Sequence, residues 1–240
     1  MVNFFFQARN SVTVRQTCAF YSQLGDGGTG TGTLVEHRGE FFLLTCYHVA
    51  EAILNEHCYA CFRLEAPRAL GFLNLGMSHM KLAHGDEDED VALIAVKKRN
   101  IARALPHLTP LTLKDVEPVD FERLPVQDYE VVGFPKAMLD NKHKDVATAG
   151  AIIYRTFLST KSQSTATRLF LDYPERGKQH ALPEPHGMSG ALIWTLPAPH
   201  LTKKGELWKP GKPIAIQTAF RRRERCLVCS PLTLLRTWLK

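Results

Sequence analysis

The stretch GTGTLVEHRGEFFLLTCYHVAE, residues 30–51, decides how the chain is read. Two apolar runs, TGTLVEH and EFFLLTCYH, flank Arg38-Gly39, and a glycine-containing pair between such runs marks a β-hairpin. The second run closes on His48, and HVAEAILNE after it has room for one or two helical turns. A histidine at a strand end is either a core residue or a base held in place. The rest of the chain must supply its partners.

Working outward, short apolar runs recur between turn residues: CYACFRL, VALIAVKK, DYEVVGFP, AGAIIYRTF, TRLFLDY, GALIWTL and PIAIQTAF. This pattern predicts an all-β sandwich or barrel. MVNFFFQARN at the N-terminus reads as one more strand. Arg99 to Pro125, with Pro106, Pro110, Pro118 and Pro125, reads as a linker between two β-rich halves. The best helical pattern is SPLTLLRTWLK, with Ser230 as cap, Pro231 at the first helical position, and Leu232, Leu235, Trp238 and Leu239 on one face.

With 240 residues, 45% hydrophobic and 22% charged, the chain is ordered and large enough for a sizeable core. Its net charge of +6 permits an acidic partner without requiring one. No apolar run approaches the roughly 18 residues that cross a bilayer, and the N-terminus lacks the basic and apolar parts of a secretory signal. The expected setting is the cytoplasm, away from membranes, with reduced thiols. Cys58/Cys61 and Cys226/Cys229 have the C-x-x-C spacing of a zinc site. Both pairs lie in strand-like runs, where residues three apart face opposite ways. Buried free thiols are therefore expected, with no metal and no cofactor.

The second landmark is HGMSGALIW, residues 186–194. Ser189 is either a nucleophile on a tight glycine turn or a small residue before a buried strand. A reactive serine needs a base in reach and an acid to orient that base. Beyond Ser189 lie one histidine, His200, and the acids Glu206 and Glu224, with no Asp, which excludes the serine–acid–histidine order of the α/β-hydrolases. Their GxSxG elbow also needs glycine where this chain has Ala191. The order histidine, acid, serine stays open, with His48, then Asp90 at the head of DVALIAV, then Ser189. Asp90 ends the acidic run Asp86–Asp90, whose other reading is a solvated face. It is preferred to Asp88 because it abuts the apolar strand.

In this order the residue 30–51 segment, DVALIAV and HGMSGAL resemble the trypsin/chymotrypsin-like serine peptidases, the double β-barrel class. VVGFP at 131–135 and PIAIQTAF resemble landmarks of the family's second barrel, and the likeness spans roughly residues 24–240. The resemblance implies two six-stranded antiparallel β-barrels, with the active site between them and a C-terminal α-helix. The histidine and aspartate barrel would occupy 1–117, the serine barrel 118–229, and the helix 230–240. It also implies a serine endopeptidase in which Ser189 attacks, His48 is general base and then acid, and Asp90 orients His48. The backbone N–H groups of Gly187 and Ser189 would form the oxyanion hole.

The family's specificity pocket falls on Pro183 with Glu184 beside it, and on Thr218, Ala219 and Phe220 of the cleft strand. A carboxylate at Glu184 would favour Lys or Arg, and Phe220 would narrow the pocket toward small side chains. His186 reads as a turn-shaping residue. Met188 replaces the aspartate that pairs with a processed N-terminus in digestive members, so that activation device is not expected. The run Arg221–Arg225 reads as a solvated hairpin tip rather than a nucleic-acid interface. The expected partners are a protein or peptide substrate and a regulatory protein. The competing functions are a catalytically silent protease-fold binding module and a basic nucleic-acid-binding β-barrel.

Overall fold

The computed structural model describes residues 16–22, 30–55, 58–66, 69–102, 105, 108–116, 118–125, 128–143, 146–149, 152–173, 182–196 and 211–240. The strand expected in MVNFFFQARN lies outside these residues.

The first sheet contains β1 (Thr17–Ser22), β2 (Gly30–His37), β3 (Glu40–Thr45), β4 (Cys58–Ala66), β5 (Ala69–Gly76), β6 (Met80–Asp86) and β7 (Val91–Val96). Their spatial order is β5-β4-β1-β2-β3-β7-β6, all antiparallel, and β8 (Leu111–Thr112) lies parallel beside β2. The two ends of this path, β5 and β6, are separated in the chain only by one 3₁₀ turn, Met77–His79. One broken strand therefore pairs with β4 through its first half and β7 through its second, so the sheet comprises six staves and curls back on itself.

The second sheet follows, with β9 (Tyr129–Gly133), β10 (Leu139–His143), β11 (Val146–Ala149), β12 (Ile152–Thr156), β13 (Leu169–Asp172), β14 (Leu192–Thr195), β15 (Pro213–Arg221) and β16 (Cys226–Pro231). The six-stranded order is β12-β9-β14-β15-β16-β13, while β10 and β11 pair only with each other. The residues after β12 close the ring against β13, through a Leu158–Leu171 bridge and the bonds Ser159 N–H to Phe170 O (2.8 Å) and Asp172 N–H to Phe157 O (3.0 Å). The all-β class, the paired six-stave architecture and the C-terminal helix agree with the expectation.

Local chemistry explains the elements. Arg38 (φ 51°) and Gly39 (φ 82°) both adopt positive φ, the two-residue type I′ turn whose twist matches a hairpin. The runs FFLL and VALIAV do not alternate in polarity because both faces of β3 and β7 are buried. Phe41, Leu43, Ala92 and Ile94 fill the first barrel, while Phe42, Leu44, Val91 and Leu93 face a seam shared with Val132, Leu192, Trp194 and Ile216 of the second. Among the described residues three α-helices accompany the sheets: α1 (Tyr47–Asn55), α2 (Lys98–Ile101) and α3 (Leu234–Trp238). Leu232, Leu235 and Leu239 cap the seam. No helix among the described residues is long and apolar enough to cross a membrane.

Three readings change. The C-terminal helix begins at Leu234, not at 230, because Ser230 and Pro231 still belong to β16. Ser230 caps nothing; its hydroxyl donates to the Glu89 carbonyl (2.6 Å). The supposed linker is tied down, with Leu111 in β8 and with Leu108, Val116 and Phe121 buried. Of the C-x-x-C pairs, Cys226 and Cys229 are buried free thiols on β16, whereas the Cys58 and Cys61 side chains lie outside the described residues.

Candidate active site

His48 is the second residue of α1, directly after β3, and Asp90 ends the turn that leads into β7. The registered pairing of β3 with β7 brings them together, since Thr45 lies opposite Ala92. His48 Nδ1 lies 2.8 Å from Asp90 Oδ2 and 3.0 Å from Oδ1, and the His48 backbone N–H donates to the same Oδ1 at 3.0 Å. One carboxylate thus satisfies an open N–H at the start of α1 and fixes the imidazole. An ionised carboxylate only accepts, so Nδ1 carries the hydrogen and Nε2 of the neutral ring keeps its lone pair. The imidazole is about half exposed, at 54%, against 26% for the Asp90 side chain. Asp90 itself has φ 53°, a left-handed conformation that aspartate tolerates better than most residues.

The acidic run before Asp90 is not simply solvated. Asp86 Oδ1 accepts the Glu89 N–H at 2.8 Å, and Asp90 N–H reaches Glu87 O at 3.2 Å. Arg168, at the edge of the second barrel, reaches across to this turn. It pairs with the Glu89 carboxylate, donates to the Asp88 carbonyl (2.6 Å) and donates to the Ser230 hydroxyl (3.1 Å). Asp88, the reserve candidate, is exposed and contributes its carbonyl to this grip.

Ser189 sits on a turn with positive φ at Gly187 (86°) and Gly190 (94°). A Cβ at Gly190 would lie 1.9 Å from the Thr31 carbonyl oxygen, so only glycine fits there. The first barrel holds this turn through Thr31. Its N–H donates to Ser189 O (2.8 Å), while its hydroxyl donates to Gly187 O (3.1 Å) and accepts from Phe134 N–H (2.9 Å). The remaining carbonyls are also engaged, His186 O by Lys136 N–H (2.6 Å) and Met188 O by Ala191 N–H (2.8 Å). In a trans peptide the N–H points opposite the C=O. The Gly187 and Ser189 N–H groups are therefore turned outward, and among the described residues neither donates to a partner.

Cys46 lies where the two segments meet. Its thiol is buried, makes a 3.0 Å hydrogen bond to Gln217 O, and lies close enough to His48 and Asp90 for the three donor atoms to fall within 4.8 Å of one another. Burial first and the Asp90 charge second push this thiol well up, against the Gly190 backbone N–H. It is a neutral thiol at neutral pH, which disfavours the thiolate that a metal would need. Gln217 O also accepts the Gly190 N–H (2.8 Å), which ties this thiol to the Ser189 turn. The Ser189 hydroxyl makes no hydrogen bond to His48 among the described residues.

The expected substrate residues separate. Glu184 and Phe220 line a cleft of about 390 Å³ together with His186, Arg222 and Arg225. Pro183 instead offers its carbonyl to the Tyr173 hydroxyl at 2.5 Å, and Thr218 turns its hydroxyl to Val228 O at 3.2 Å from a bulge in β15. Ala219 is exposed and does not line the cleft. Two of these segments carry a further feature. His186 shapes the turn through its carbonyl, but its side chain borders the cleft. The Arg221–Arg225 run is a hairpin tip with Arg221, Arg222 and Arg223 exposed, as expected; Arg222 and Arg225 also line the cleft, and Arg225 (φ 50°) stacks 5.8 Å over Tyr173. Arg221 is likewise held, 4.7 Å over Phe170.

Sequence reasoning missed Thr31, Arg168, Cys46 and Ser230. Their roles arise from contacts remote in the chain, 156 residues apart for Thr31 and Gly187.

Solved structures that share this arrangement of strands include proteases. The MamO protease domain from Magnetospirillum magneticum matches with TM-score 0.58 and 10% identity, over 95% of this chain and 98% of that one. The chain has the double-barrel fold of the trypsin-like serine proteases. A serine endoprotease from Yersinia pestis matches this protease fold with TM-score 0.52 and 15% identity, over 96% of this chain and 63% of that one. Human heparin binding protein matches with TM-score 0.54 and 11% identity, over 95% and 91%. No protein-family model and no curated protein matches the sequence. At such identities the fold is shared, and the chemistry has to be argued from this chain's own residues.

Proposed function

We propose that this protease-fold protein is a serine endopeptidase that hydrolyses protein or peptide substrates in the cytoplasm. The observation that carries the reading is the pairing of a carboxylate-oriented imidazole, His48–Asp90 at 2.8 Å, with a serine turn whose two outward N–H groups have no partner among the described residues. In the proposed mechanism His48 Nε2 removes the Ser189 proton as the hydroxyl attacks the scissile carbonyl. The oxyanion is received by the Gly187 and Ser189 N–H groups, each worth about 3 kcal/mol in comparable sites. His48 returns the proton to the leaving amine, Asp90 stabilises the imidazolium, and water repeats the sequence to release the acyl group.

A catalytically silent binding module is the second reading, favoured by the unmade Ser189–His48 hydrogen bond. Such bonds are often long in unliganded enzymes and tighten around substrate. A fluorophosphonate probe separates the two. The endopeptidase reading expects Ser189-dependent labelling that is lost in Ser189→Ala and strongly slowed in His48→Ala. Absence of label on the unaltered chain decides for the silent module.

A further inference from the structure

The cleft beside the nucleophile turn has a charge pattern that the sequence did not disclose. Its lining residues come from the segment just before Ser189, namely Glu184 and His186, and from the β15–β16 hairpin, namely Phe220, Arg222 and Arg225. Phe220 is braced edge-on by Tyr173 at 5.4 Å, and Tyr173 is braced in turn by Tyr154 at 5.4 Å. This gives the cleft one rigid apolar wall. Glu184 and Arg225, of opposite charge, both line the cleft. Arg222 is exposed and has no ion pair or hydrogen bond among the described residues. Arg221 and Arg223 add positive field from the same hairpin, opposed there only by Glu224.

We infer that this cleft receives a carboxylate-bearing side chain of the bound peptide, with Arg222 as its principal partner and His186 as a second donor. The inference rests on the proposed endopeptidase reading only for the claim that a peptide chain lies across the cleft. A guanidinium presents paired N–H groups that match a carboxylate in two parallel hydrogen bonds. The Phe220 ring covers the methylenes of the same side chain, and the fixed wall favours a residue of Asp or Glu size over a large aromatic. A Lys or Arg substrate, which Glu184 alone would attract, meets the exposed Arg222 charge instead.

The test is binding of fluorescently tagged short peptide pools, identical except for a C-terminal Glu, Gln or Lys, to the Ser189→Ala protein by fluorescence polarisation. This protein cannot form an acyl-enzyme, so the result does not depend on whether the serine reacts; the labelling experiment reports that separately. The Glu pool is expected to bind roughly tenfold tighter than the Gln pool, an advantage that shrinks as salt screens the pair. Arg222→Gln in the same background removes most of the difference, Arg222→Lys restores part of it, and Arg222→Glu turns the preference toward Lys. Arg222 is solvent-facing, so these changes leave the fold intact. Equal binding of all pools, or tightest binding of the Lys pool to the Arg222 protein, overturns the inference.

Discussion

Two turns carry the candidate chemistry, and each is held by the opposite barrel. The turn ending at Asp90 grows from the first barrel and is gripped by Arg168 and Ser230 of the second. The turn around Ser189 grows from the second barrel and is gripped by Thr31 of the first. Both contain positive φ, at Asp90 and at Gly187 and Gly190. Their fastenings differ in kind. Asp90's turn is held partly by charged side chains that are about a quarter exposed, at 27% and 23% for Arg168 and Glu89. Ser189's turn is held by backbone groups and a fully buried hydroxyl, packed so closely that a methyl group has no space. The first fastening should respond to salt, and the second to a single carbon atom.

The largest effect should follow from that carbon. Gly190→Ala sets a Cβ 1.9 Å from Thr31 O and 2.7 Å from Thr45 Oγ1, at a φ of 94°. It is expected to cost more than about 3 kcal/mol and to abolish Ser189 labelling, as read by chemical denaturation and probe reaction. Thr31→Val keeps the shape but leaves the Phe134 N–H and Gly187 C=O unpaired and buried. A cost of about 2–3 kcal/mol is expected in the denaturant midpoint.

Glu130 separates barrel stability from turn geometry, because it lies in β9 away from both turns. Burial holds its proton to about 7, against the lowering effect of Arg155. An unfolded glutamate ionises near its ordinary value, so between that value and about 7 the folded state binds the extra proton. Stability is therefore greatest below this window and falls as pH rises through it, by about 2 kcal/mol. Glu130→Gln should flatten the profile, measured as unfolding free energy from pH 5 to 8. The smallest loss is expected for Arg168→Ala, about 1 kcal/mol. Labelling of Ser189 should slow while Arg168→Lys restores part of the rate. Salt should slow labelling of the unaltered chain more than that of Arg168→Ala. Equal salt response in the two would remove the contrast between the fastenings.

The strands that line both a barrel and the seam were legible in the sequence, because double burial leaves unbroken apolar runs such as VALIAV. β6 was not, since all but its first residue face solvent or are only half-buried, and neither was β8, two residues long. Ser230 misled because a serine before a leucine-rich segment satisfies the cap pattern, whereas a distant turn claims its hydroxyl. His48, Asp90 and Ser189 were legible as polar residues at strand ends in a usable order. Thr31 and Arg168 were not, since a threonine among glycines and an arginine at a strand start have no local signature of what they will grip. The cleft charge was hidden for the same reason, as only folding brings Arg222 and His186 to one cleft.

The most direct measurement is the rate at which a fluorophosphonate modifies Ser189, located by mass spectrometry, in the unaltered chain and in Asp90→Asn. If the two turns form one reactive unit, the adduct maps to Ser189 and the substitution slows it by a factor on the order of 10³–10⁴. An adduct elsewhere, or equal rates in the two proteins, contradicts the account.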